Sequence, residues 1–434
     1  MKPPAAGMAN ADVPSDDVTL GPESAALLER RERLPGGASR LSYERPFRPV
    51  RGQGCILYDA AGNGHLDACN SVASVGHCHP RVVGALARQA GAPDTHTGDL
   101  GGEVVDYAER LLTTLPAAID RAVFTCTGSE ANDLAVRIAR HATGGTGVVV
   151  TETACHGTTT DVAAFSPSLG PGVPLGADVR TVPAPVGGDA DAFAAAVSAA
   201  FADLARNGVR PAAFICDTIF ASDGLCADPP GFLAAAVDAA REAGAVFIAD
   251  EVQAGLGRTG AAMWGFSRHR VVPDLVTAGK SIGNGHPVAA LFGRHGPVDA
   301  FGQSARDFDT FGGNPVSCAV GLAVLGVIED EGLIENAKTT GERLRLDLAE
   351  LAGEHAAIGE IRGAGLFIGI DIVGEAGADA AGAARIVNGL REKRVLIGAT
   401  GPKANVLKIR PPLVFGPREA DFLIEMLDDV LSRH

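Results

Sequence analysis

No run of 18 or more apolar residues occurs in this 434-residue chain, so no membrane-spanning helix is expected. The start of the sequence also lacks a basic segment followed by an apolar core; with no secretory leader, the cytoplasm is the expected compartment. Basic residues are in deficit, 37 Lys and Arg against 52 Asp and Glu. The formal net charge of -15 argues against a nucleic-acid or anionic-membrane partner. Cysteine motifs are missing as well. Cys55, Cys69, Cys78, Cys126, Cys155, Cys216, Cys226 and Cys318 form no CxxC pair and no disulfide framework, and read as small buried apolar residues of a reducing compartment. His77 and His79, two apart in Gly-His-Cys-His-Pro, have no second ligand cluster nearby. That stretch reads as a turn, and no metal is expected. Internal repeats are absent.

What is present is a globular composition, 46% hydrophobic and 21% charged, at a length beyond the ~250–300 residues at which single cores stop growing. Residues 1–22, rich in Pro, Ala, Gly and Asp, read as a mobile tail. Ser24 to Leu34 reads as a short charged helix stopped by Pro35. CILYDA and GHLDA, flanking Gly62-Asn63-Gly64, signal a hairpin. From Pro80 on, helices (80–91, Glu103–Leu115, Ser129–His141, Gly231–Ala243) alternate with strands (Arg121–Thr125, Gly147–Thr151, Ala212–Cys216). Such alternation predicts an α/β fold with a mostly parallel central sheet covered by helices on both faces, its ligands beyond the carboxyl ends of the strands. The apolar-periodic stretch Pro315 to Asp330 reads as a helix leading out of that sheet. A compact α+β unit follows, with strands at Leu366–Ile372 and Val406–Ile409 and helices at Leu333–Glu350, Ala381–Lys393 and Pro417–Leu431. The expected organisation is a large domain over 80–325 and a smaller α+β domain built from both chain ends, 23–79 and 326–434.

Two charged residues stand at the ends of apolar strands. The run Ala245 to Glu251 (AVFIADE) delivers Asp250, and Leu275-Val276 leads to Lys280 in a turn with Gly279, Gly283 and Gly285. An amine for a Schiff base and a carboxylate for a pyridinium nitrogen are what pyridoxal 5'-phosphate (PLP) chemistry needs, and the glycines leave room for a flat ligand. Thr127, Gly128 and Ser129 follow a strand and open a helix with apolar positions Ala131, Leu134, Ala135 and Ile138. Its N-terminus reads as a phosphate seat and as an ordinary N-cap, two compatible readings. Gly255-Leu-Gly-Arg-Thr-Gly260 matches GxGxxG literally, which points instead to a dinucleotide-binding oxidoreductase. The sequence after Gly260 has no clean apolar face, however, and the match falls past the middle of the chain. The glycines are expected to let a loop pass close to the cofactor or a subunit partner.

TGSEAN at 127–132, DEVQAGLGRTG at 250–260, DLVTAGKSIGNG around Lys280 and TFGGNP at 310–315, in this order, resemble the class III aminotransferases of fold type I. The resemblance runs along nearly the whole chain from about residue 45. It implies a PLP-dependent transferase and a homodimer with the active site at the subunit interface. Lys280 would form the Schiff base and Asp250 would pair with the pyridine nitrogen. Gln253 would bond the ring hydroxyl and Val252 would lie against one ring face. Thr127, Gly128 and Ser129 would hold the phosphate, with Thr310 reaching it from the other subunit. Cys155, His156 and Asp217 fall at further cofactor-contact positions, and Arg410 in LKIRPPL matches the arginine for the substrate α-carboxylate.

Within the class, GHCHPRVV, CHGTTTDVAAFSPSLG and CDTIFASDG resemble the subgroup around alanine-glyoxylate aminotransferase 2-like proteins, which includes phospho-lyases. The expected activity is therefore amino transfer between an amino acid and a keto acid or aldehyde. A β-elimination lyase, an epimerase and a cofactor-binding regulator without catalysis are the alternatives. Departures from the pattern are Cys155 before His156-Gly157, where the family has a stacking aromatic, Cys69 and Asp99 where the subgroup tends to aromatics, and Asp217 for glutamate. They imply a roomier or more polar pocket and an unusual substrate. The Cys155 thiol itself reads as a small ring contact rather than a nucleophile.

Overall fold

The strands Gly147–Thr151 (GVVVT), Pro211–Asp217 (PAAFICD) and Val246–Asp250 (VFIAD) have no polar face and are buried along almost their whole length, which only a sheet covered on both sides allows. In the computed structural model, which describes residues 20–35, 40–69, 72–305 and 308–433, they form the middle of a seven-stranded sheet. The order is Arg121–Thr125, Ala289–Gly293, Leu275–Ala278, Val246–Asp250, Pro211–Asp217, Gly147–Thr151, Val179–Val182. All neighbours are parallel except Ala289–Gly293, which runs against both strands beside it. Residues 1–19 of the expected tail lie outside the described residues.

Alternate side chains of these strands go to opposite faces. Val148, Val150, Ala213, Ile215, Ile248 and Leu275 meet the helix Gly128–Thr143 through Leu134, Ala135 and Ile138. Val149, Phe214, Phe247, Ala249 and Val276 belong to the larger core that includes the helices Ala190–Arg206, Leu233–Glu242 and Pro315–Asp330.

Both chain ends share a sheet. The hairpin Ile56–Asp59 and Gly64–Asp67 pairs on its far side with Val395–Leu396, in parallel, Val395 opposite Leu66. A neighbouring sheet has the order Ile358–Ala364, Phe367–Gly374, Val406–Ile409, Gly398–Thr400.

The Gly255–Gly260 loop opens no α-helix; turns and the single 3-10 segment Gly265–His269 follow it, so the dinucleotide geometry is absent. Its glycines serve a close approach to the helix Leu333–Glu354, a different neighbour from the expected cofactor or partner. A Cβ on Gly260, at φ +69°, would stand 2.6 Å from the Lys338 backbone, and one on Gly257 2.7 Å from Ile334. Arg258, buried between them, donates to the carbonyls of Leu366 (3.2 Å) and Pro411, while its own carbonyl accepts from Leu366 N (3.1 Å). Further along the same helix, a Cβ on Gly341 would lie 2.1 Å from the Gly365 carbonyl oxygen. Gly341→Ala is expected to cost about 1–3 kcal/mol, read from urea melts, because the obstacle is backbone that has no rotamer to change.

Candidate active site

Three strand ends bring the polar groups together. Asp217 stands opposite Asp250 in register, and Asp250 opposite Thr277. Lys280 follows three residues later at φ +43°, in the left-handed region uncommon for a residue with a Cβ. Its turn abuts the start of the Gly128–Thr143 helix, since a Cβ on Gly279 would stand 3.3 Å from the Gly128 backbone.

Asp250, 4% exposed, is held by three donors: Asn132 Nδ2 at 3.0 Å, His156 Nδ1 at 2.7 Å and Val252 N at 3.1 Å. Asn132 ties the group together. It also donates to the His156 carbonyl (2.7 Å) and accepts from the Thr277 hydroxyl (2.6 Å). It lies in TGSEAN, where its sequence signal is an asparagine on the apolar face of a helix, beside Ala131 and Ala135, where an amide must find partners. His156 Nε2 is buried without a hydrogen-bond partner among the described residues.

The helix start is divided between cap and cleft. Thr127 accepts from Glu130 N, and the Glu130 carboxylate takes the amides of Thr127 (2.8 Å) and Cys126 (3.0 Å), a capping box. The first two helical amides, of Gly128 and Ser129, have no acceptor among the described residues. Ser129 Oγ accepts from Thr158 N at 3.1 Å, and a Cβ on Gly157 would come within 2.4 Å of that oxygen, so the two segments close on each other. Val252 is buried with a methyl 3.1 Å from where a Gly128 Cβ would be.

Lys280 is open to the cleft on one side and crowded by protein on the others. Burial lowers the pKa of its amine; the Asp250 carboxylate opposes this, and the Arg410 charge adds to it. An amine, a buried carboxylate and two unoccupied amides at a helix N-terminus fit the carbonyl, ring nitrogen and phosphate of pyridoxal phosphate.

The remaining expected residues divide. Cys155 is exposed and within electrostatic reach of Lys280. Gln253 accepts from Arg410 Nη1, an engagement the sequence did not show. Arg410, 8% exposed, lies over the Phe367 ring at 5.2 Å and turns its Nε and Nη2 edge to the Cys69 carbonyl at 3.4 and 3.1 Å. Thr310 is exposed, one residue after an Asp309 whose carboxylate caps Phe311 and Gly312. His77 bonds Asp67 at 2.7 Å, and His79 caps the Pro80–Ala90 helix.

Two acids beside the site are displaced upward. Burial, then the Asp250 charge, pushes Asp217 up to about 7 despite the amides of Ala221 and Ile219. Burial pushes Glu251 up to about 7, against the Thr218 hydroxyl and the amides of Gly265 and Phe266. Between pH ~4 and 7 the folded protein thus binds more protons than the unfolded chain at these two positions. Their contribution to stability is complete below pH ~4 and is lost as pH rises through 7. Glu251→Gln is expected to flatten the fall in urea midpoint between pH 5 and 8.

A class III aminotransferase family model matches residues 39–431. A Drosophila melanogaster alanine-glyoxylate aminotransferase 2-like protein is 38% identical, covering 91% of this chain and 84% of the relative. A Caenorhabditis elegans ethanolamine-phosphate phospho-lyase homolog is 34% identical over 94% of this chain and 93% of its own. Among solved structures, an Arthrobacter phospholyase in complex with phosphoethanolamine superposes with a TM-score of 0.91 at 41% identity, covering 94% of this chain and 100% of that one. With this coverage and the donor set around Lys280, the chain belongs to the class III aminotransferases and is a pyridoxal-phosphate-dependent enzyme.

Proposed function

We propose that the enzyme moves an amino group between an amino acid and a keto acid or aldehyde, with Lys280 as the amine that attaches the cofactor and then moves the substrate proton. The observation that carries this is the partly desolvated Lys280 amine facing the triply held Asp250. When bound, the cofactor supplies an electron sink for the carbanion left by proton loss. Asp250 keeps a negative charge at the ring nitrogen. Gly128, Ser129 and Thr127 hold the phosphate, and Val252 and Cys155 bound the ring. His156 steadies Asp250. Burial lowers the pKa of Lys280, which favours the neutral amine, and Lys280 takes the proton from the substrate carbon and returns it. Arg410 binds the anionic end of the substrate.

The protein acts as a homodimer whose partner supplies Thr310 to the phosphate. Exposed Leu100, Val105 and Phe311 support this: Phe308 meets His96, and Gly313 approaches Thr97 and Val104, so the two apolar segments adjoin. The units 80–325 and 23–79 plus 326–434 are its two domains. Eight unpaired cysteines accord with a reducing, cytoplasmic setting, and no described helix is long and apolar enough to cross a membrane.

β-Elimination is the second reading, favoured by the phospholyase likeness. A β-phosphorylated amine plus water gives an aldehyde, ammonia and phosphate. Titrating the holoenzyme with amino acids and phosphorylated amines while recording the visible cofactor band decides the matter. Loss of the band with a keto acid or aldehyde formed supports transfer; a persistent band with ammonia and phosphate formed replaces transfer by elimination.

A further inference from the structure

The strands Gly147–Thr151 and Pro211–Asp217 are parallel neighbours, so the loops that leave their carboxyl ends lie together. Between them is a cavity of about 10 Å³, room for one water, lined by Thr151, Cys155, His156, Asp217, Ser222 and Asp223. Asp223 is placed there by its own loop: the carbonyl of fully buried Phe220 accepts the amides of Asp223 (3.1 Å) and Leu225 (3.0 Å). At 5% exposure its carboxylate accepts from Thr151 Oγ1 at 2.9 Å and from Thr153 Oγ1, one hydroxyl to each oxygen. A carboxylate taken out of water needs more than neutral donors to offset its lost hydration. Arg362, which reaches this loop at the Gly224 carbonyl (2.8 Å), is paired with Asp371 at 2.7 Å. The positive group that acts on Asp223 is His156. Burial raises the Asp223 pKa; the Thr153 and Thr151 hydroxyls and then the His156 charge draw it back.

His156 has one ring nitrogen to offer. Nδ1 faces a carboxylate that already takes Asn132 and Val252, so Nδ1 carries a hydrogen and donates to Asp250. Nε2 is buried and has no hydrogen-bond partner among the described residues, which forfeits a bond the same nitrogen would make in water. The cavity sets this ring and the Asp223 carboxylate around the space of one water. A metal ion does not suit it, because His156, Asp217 and Asp223 do not bring one ligand atom each within 4.8 Å of one another. Asp217 is the poorer acceptor. Burial, then the Asp250 charge opposite it in register, push its carboxyl up to about 7 and leave it half protonated at neutral pH.

We propose that Asp223 is a positioning residue for the cofactor: one bound water joins His156 Nε2 to the Asp223 carboxylate. Asp250, His156, the water and Asp223 then form one hydrogen-bonded line running away from the ring nitrogen. Along it Asp223 holds the imidazole against Asp250 and adds its negative charge to the support of a cationic ring. This rests on the reading of Asp250 as the partner of that nitrogen.

The test is the pH midpoint of the visible cofactor band in the resting holoenzyme. It is read in wild type, Asp223→Asn and Thr151→Val, and again for Asp223→Asn in a His156→Asn background. Removing a carboxylate that supports a cation is expected to lower the midpoint by about 0.5 in pH or more. The other charged groups around His156 and the two acids, Asp250, Glu251, Lys280 and Arg410, are the same in wild type and Asp223→Asn. The nearby Cys216 and Cys226 thiols stay neutral, burial holding both pKa values up. Thr151→Val removes a hydroxyl and leaves the charge, so it is expected to lower the melting temperature without moving the midpoint. In the His156→Asn background the effect of Asp223→Asn is expected to fall to about half or less. A crystal structure of the wild-type holoenzyme is expected to show a water within hydrogen-bond distance of Nε2 and the Asp223 carboxylate.

A midpoint unmoved by Asp223→Asn, moved as far by Thr151→Val, or moved equally in both backgrounds overturns the proposal. So does a crystal structure with no such water, or with a water bonded to Asp217 in place of Asp223. A visible band that persists unchanged in Lys280→Ala would instead remove the reading of Lys280; a band that depends on Lys280 but ignores Asp223 removes this inference alone.

Discussion

Lys280→Ala is expected to lower turnover by about 10⁴-fold or more while the protein stays folded. Positioned proton transfer alone contributes about 10²–10⁴-fold, and this side chain also supplies the attaching amine. The fold should tolerate the change, because Lys280 opens to the cleft and relieving a desolvated amine near Arg410 removes an unfavourable interaction. Turnover with the best amine, beside circular dichroism and cofactor content, checks it. Partial recovery on adding a small primary amine is expected, since the missing function is a base in a cavity of the right size. Activity within tenfold of wild type would sink the assignment of Lys280.

Asp250→Asn is expected to reduce turnover by about 10²–10³-fold, the scale of removing one preorganised electrostatic contact. The substitution keeps the volume but loses the charge. It also sets amide hydrogens against donors in either orientation, against both Asn132 and His156, which share one carboxylate oxygen, or against the Val252 amide at the other. A stability cost of about 1–3 kcal/mol should accompany the kinetic loss. Asn132→Ala separates the two effects. It leaves the carboxylate charged but removes the bonds to Asp250 and the His156 carbonyl, so stability should fall more than turnover. The ratio of the two losses in paired urea melts and initial rates is the measurement; equal kinetic losses in both variants would show that charge at residue 250 is not what matters.

The sheet was legible where strands are buried on both faces. Gly147–Thr151 and Val246–Asp250 are continuous apolar runs, and the helix Pro417–Leu431 shows both its start at Pro417 and its period. Ala289–Gly293 escaped because the short apolar run AALFG carries no period, and nothing local says that the chain runs backward there. Pro49–Gln53 escaped for the opposite reason: PVRGQ is an exposed edge strand with no apolar face.

In the site, Lys280 and Asp250 were legible because each ends an apolar strand. Asn132 lies in TGSEAN and Arg258 in DEVQAGLGRTG, but their partners Asp250 and Pro411 lie 118 and 153 residues away. Only the fold makes them neighbours. Gln253 shows the same limit, its carbonyl taken up by Arg410 from across 157 residues.

The capping box at Thr127 and Glu130 makes the helix start independent of any ligand. Glu130 satisfies the amides of Cys126 and Thr127, and Thr127 that of Glu130, so the helix needs no ligand to hold its first turn. Water can serve Gly128 and Ser129 until a phosphate replaces it. The first turn of this helix is therefore expected to form in the cofactor-free protein, its amides served by the chain itself and by water.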